Sequence, residues 1–132
     1  MKKRIIISII AIVILIIGGY FMLNILSPKV SILGTNARLT YIYSDKNIDI
    51  SLSAEESETI KNMFNGKKTY SDNPSCGFTE DVSIRFDNLI FCIACDQCPI
   101  VKLEGKYFKI SKADREVINL IFEKYGGSFP CV

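Results

Sequence analysis

The chain has 132 residues, with 16 basic and 14 acidic side chains and neither histidine nor tryptophan. Lys2, Lys3 and Arg4 all precede the first apolar run, which leaves 13 basic residues against 14 acidic ones in the remainder. That balance provides no electrostatic basis for binding nucleic acid. The absence of histidine excludes a histidine base and mixed Cys/His zinc sites.

The chain opens MKKRIIISIIAIVILIIGGYFMLNILSPK, without a charged side chain from Ile5 to Leu26. Eighteen or more apolar residues suffice to cross the hydrocarbon core as a helix, which satisfies its own backbone groups there. The basic cluster in front should stay cytoplasmic and send the rest outside. A cleaved signal peptide is the competing reading. It would need a shorter apolar region and a small-x-small cleavage site, whereas GGYFMLNIL continues with bulky residues. Residues 1–27 are therefore expected to be a single-pass anchor, lying in the cytoplasmic membrane through residues 5–26, with the N-terminus cytoplasmic. Residues 28–38, punctuated by Pro28 and Gly34, read as a juxtamembrane tether. Residues 39–132 are left as one extracytoplasmic domain.

LTYIYSDKNIDISL alternates on both sides of Ser44–Asn47 and predicts a hairpin. Ser53 with Glu56 three residues on is a capping box, and Ile60, Met63 and Phe64 give the helix behind it an apolar stripe that ends at Gly66. KKTYSDNPSCGFTED is a polar connection in which Tyr70 is a candidate for a short strand. A second hairpin follows, with Val82, Ile84 and Phe86 before an Asp87–Asn88 turn and Leu89, Phe91 and Ile93 after it. CPIVKLEGKYFKIS adds two strands around Glu104–Gly105. Ser111 and Asp114 then cap a final helix whose expected apolar face is Val117, Ile118, Leu120, Ile121 and Tyr125. ISLSAEESETIKNMF aligns with FKISKADREVINLIF, matching Ser53 to Ser111, Ile60 to Ile118 and Phe64 to Phe122. This is a trace of duplication, or simply two similar strand-to-helix joins. The order implies an α+β fold: an antiparallel sheet with two helices on one face.

The cysteines are Cys76, Cys92, Cys95, Cys98 and Cys131, so at most two internal bridges form and one thiol is left over. An iron–sulfur cluster lacks a correctly placed fourth cysteine. Zinc would need Cys92, Cys95, Cys98 and a distant ligand, but Cys92 lies within an alternating strand. A catalytic thiol wants a helix start or a nearby cation, whereas Asp96 sits between the cysteines and would raise their pKa. Structural disulfides are the simplest reading outside the cytoplasm. Strand alternation turns Cys95 to the core side and Cys92, beside Ser83, to the other. Cys95 and Cys98 could close a tight turn at Asp96–Gln97. Cys131 would pin the chain end, with Cys76 its first candidate partner and Cys92 its second.

Spaced as they are, NPSCGF, FCIACDQCP and YGGSFPCV resemble segments of small uncharacterised membrane-anchored or secreted cysteine-containing proteins of Gram-positive bacteria. The resemblance covers about residues 70–132 and implies an extracytoplasmic setting without a known activity. The element order is also loosely similar to the β-lactamase-inhibitor-protein type of fold, in architecture alone. Glu55, Glu56 and Glu58 suit a helix start. Asp72, Glu80 and Asp81 lack the alternation of a calcium loop. Ser75 has no base, and Tyr41, Tyr43, Tyr107 and Phe108 suit sheet packing. The expectation is a non-enzymatic binding or interaction domain without cofactor or metal, engaging a protein or peptide partner. The alternative is an envelope thiol protein, redox-active or metal-binding, built on Cys92, Cys95 and Cys98.

Overall fold

The computed structural model describes residues 1–131; Val132, the last residue of the expected domain, lies outside them. The apolar run forms helix α1 (Lys2–Leu26), none of whose residues is buried. Six strands follow: β1 (Ala37–Tyr43), β2 (Lys46–Ser51), β3 (Val82–Phe86), β4 (Leu89–Ile93), β5 (Ile100–Leu103) and β6 (Lys106–Lys109). They form one sheet in the order β2-β1-β3-β4-β5-β6, antiparallel throughout. Helices α2 (Ala54–Phe64) and α3 (Lys112–Lys124) complete an α+β fold.

Register follows from alternation, because a slip of one residue would turn every apolar side chain to the wrong face. Leu39 pairs with Ile84, Ile84 with Phe91 and Phe91 with Leu103, a continuous apolar row across four strands. Both helices pack on this face. Phe64 of α2 lies 5.0 Å from Phe91 between ring centroids, and Phe122 of α3 meets Tyr41 edge-on at 6.1 Å. The opposite row runs Asp49, Thr40, Ser83, Cys92, Lys102, Tyr107 across all six strands. It is polar and open toward β2. Toward β6 it is covered by residues 70–81, where Phe78 and Tyr70 pack against Tyr107 and the Tyr107 hydroxyl donates to Asn73.

Both helix starts form as the capping signals require. In α2 the Glu56 N–H donates to Ser53 Oγ, and the Ser53 N–H donates to Glu56 Oε2. In α3 the Asp114 N–H donates to Ser111 Oγ. The aligned pairs Ile60 and Ile118, and Phe64 and Phe122, are fully buried. So is the next aligned pair, Ser57 and Arg115, and each bonds a strand end: Ala37 N–H donates to Ser57 Oγ, and Arg115 Nη2 donates to Ala94 O.

Three expectations need correction. Residues 28–38 are not merely a tether. Val30 and Ile32 are buried in the core, and the segment runs beside residues 65–69, with Val30 N–H donating to Lys67 O and Gly66 N–H to Val30 O. The polar residues around it hide an alternation too short to stand out. The apolar face of α3 is narrower than expected, since Val117 is 37% exposed and Leu120 64%. Arg115 lies inside instead, on the same side as Ile118 and Phe122. Tyr70 forms only an isolated bridge, to Tyr107.

Candidate functional site

The chemistry-bearing side chains gather at one corner, where the β4–β5 turn, the start of α3 and the chain's tail meet. Asp96 shapes the turn: its Oδ1 accepts from Cys98 N–H, and Gln97 takes φ +65°. Cys98 lies at disulfide distance from Cys76, with Cα atoms 6.3 Å apart. The bridge ties the turn to the 70–81 connection, and Cys95 N–H donating to Gly77 O holds the two together a second time. Cys98 is therefore paired with Cys76 and not with Cys95. The structure does not close a Cys95–Cys98 turn, and Cys76 is not joined to Cys131. A short staple inside a turn leaves the 70–81 connection loose, whereas the observed one fastens it to the sheet.

The tail crosses the end of the core. Gly126 takes φ +102°, and a Cβ on Gly127 would come within 3.2 Å of the Phe122 carbonyl and the Tyr41 ring, so the chain turns tightly there. Tyr41 OH donates to Ser128 O at 2.9 Å, and Phe129 packs edge-on against Tyr41 and Phe122. Cys131 N–H then donates to Cys95 O at 3.1 Å. Burial first, then the neighbouring Cys131 thiol, pushes the Cys95 thiol up to about 12.

Arg115 is the residue that sequence reasoning missed. It is 3% exposed, with Cζ 4.5 Å from the Phe129 ring centroid and Nη2 bonded to Ala94 O at 2.7 Å. Its Nε and Nη1, and Asn119 Oδ1, have no hydrogen-bond partner among the described residues. Burial pulls its pKa down to about 10 against the opposing pull of Asp96, Cys131 and Cys95. Arg115, Asn119, Lys112 and Gln97 line an opening of about 190 Å³. The available signal was spacing: 115, 118 and 122 share one side of a helix.

Cys92 stands apart. It is buried on the opposite face, paired in register with Ser83, as alternation predicted. Its thiol is raised by burial and by Glu80. It borders a groove of about 520 Å³ that also takes in Phe78, Ile90 and Lys102. Of the three cysteines of the alternative reading, Cys95 and Cys98 thus share the corner, and Cys92 lies on the opposite face of the sheet. Among the described residues, the metal-distance group is Cys76, Asp96 and Cys98, whose donor atoms lie within 4.8 Å of one another. Two of those donors are the bridged sulfurs.

Of the acidic candidates, Glu56 has structural partners: it binds Lys124 Nζ at 2.6 Å and the Tyr125 hydroxyl at 2.7 Å, clasping α2 to α3. Comparison with known protein families, curated proteins and solved structures finds no match for this chain.

Proposed function

We propose that the chain is a membrane-tethered, extracytoplasmic binding domain that engages a protein or peptide partner. The observation that carries this reading is α1. Its large apolar side chains from Ile5 to Leu26 are each 46–74% exposed, and the helix is long and apolar enough to cross a membrane. Such a surface calls for an apolar solvent. Lys2, Lys3 and Arg4 favour the cytoplasmic side for the N-terminus, and the Cys76–Cys98 pair suits an oxidising compartment. For the binding half, Val117 and Leu120 leave apolar surface open on α3. The adjoining opening is bordered by Lys112 and by Arg115, whose Nε and Nη1 are buried and unpartnered. That combination suits a peptide bringing an acidic group next to an apolar side chain.

Protease added to intact protoplasts should remove the domain and spare α1; a fully protected domain reverses the topology. A photocrosslinker at position 120 should trap a partner that one at Arg38, on the open back face, does not. Equal trapping at both positions removes α3 as the contact surface.

A further inference from the structure

The corner holds a pair of thiols poised for a second bridge. Cys131 N–H donates to Cys95 O, which keeps the two Cα atoms within the roughly 4.4–6.8 Å that a disulfide spans. Both side chains are half-buried and pack against the core. The approach is built from both sides. Asp96, Gln97 and the Cys76–Cys98 pair hold the turn, while Ser128, Phe129, Tyr41 and Phe122 hold the tail. Cys92, 7% exposed and facing Ser83 from the other side of the sheet, is out of reach.

We propose that Cys95 and Cys131 form a second disulfide that locks the tail across the Arg115 corner, leaving Cys92 as the single free thiol. The oxidant is a disulfide, either of a small thiol such as glutathione or of a dithiol oxidase. One thiolate of the pair attacks the donor disulfide and expels its first thiol. The other thiolate then displaces the second. One sulfur–sulfur bond breaks and one forms. The two electrons and the two thiol protons of Cys95 and Cys131 end on the donor as two thiols. The pairing stands on geometry, whichever side of a membrane the domain faces.

The test uses the full chain in detergent, reduced, then equilibrated with oxidised glutathione. It is then unfolded with N-ethylmaleimide in the absence of reductant and weighed intact. The wild type should gain one maleimide, Cys92→Ala none, and Cys95→Ser and Cys131→Ser two each. The oxidised wild type should also melt several degrees above Cys131→Ser. Three maleimides on the wild type, glutathione retained on Cys131, or none on Cys95→Ser (the signature of a Cys92–Cys131 bridge) would each overturn the pairing. Because Cys95–Cys98 with Cys76–Cys131 would give the same counts, the oxidised, unreduced Cys92→Ala variant is also cleaved before its aspartates, which puts Cys76, Cys95, Cys98 and Cys131 on four peptides. The Cys95 peptide should come off joined to the Cys131 peptide, and finding it joined to that of Cys98 or Cys76 overturns the pairing.

Discussion

Arg115 occupies a position where its own charge works against it. A guanidinium taken out of water is repaid only when its donors are paired, and here one hydrogen bond to Ala94 O and the face of Phe129 do that work while Nε and Nη1 go unpaired. The long side chain nonetheless fills space beneath the tail. Arg115→Ala should therefore cost about 2–4 kcal/mol through the emptied volume and the orphaned carbonyl. Arg115→Met, which keeps the stem and discards the charge, should cost clearly less. Urea denaturation of both variants gives the comparison. A Met variant as unstable as the Ala one would place the stabilisation in the bond to Ala94 instead.

At the scale of elements, the two helices start alike and are then fastened to each other through a single carboxylate. Burial acts to raise the Glu56 pKa, but hydrogen bonds from Lys124, Tyr125 and Ser53 outweigh it and hold it at about 2. A folded-state value below the unfolded one adds stability that is fully present above about pH 4.5 and is lost as the pH falls through about 2. Glu56→Gln should lower stability at pH 7 by about 1–2 kcal/mol, allowing for solvent screening of Lys124. It should also flatten the acid side of the stability profile. Denaturant midpoints between pH 2 and 7 would reveal this, and parallel curves for the two proteins would show that the clasp carries no charge-dependent stability.

For the whole molecule, the boundary between anchor and domain lies earlier than turn residues alone suggest. Pro28 O accepts from Thr69 N–H, and Val30 and Ile32 are each 3% exposed. A fragment beginning at Ser27 should melt cooperatively. One beginning at Asn36 loses both core side chains and the pairing with residues 65–69, and should be weaker by about 3–6 kcal/mol. Equal urea midpoints for the two fragments would contradict the docking of this segment.

Hairpins, caps and strand faces were legible because they are local. Alternation with a period of two specifies which side of β3 and β4 is buried, including Cys92 opposite Ser83, and a serine three residues before a carboxylate announces a helix start wherever it occurs. The apolar run of α1 announced itself by length alone. The corner was not legible, because its contacts join residues far apart along the chain. Cys76 with Cys98, Cys131 with Cys95, and Phe129 with Arg115 depend on where the sheet brings a loop, a turn and a tail together. The same holds for the burial of Val30 and Arg115 and the exposure of Leu120. Side-chain type and spacing determined which segments became strands and helices. Which cysteine met which, and which charge went inside, only tertiary packing decided, since each depends on distances between segments that no local pattern encodes.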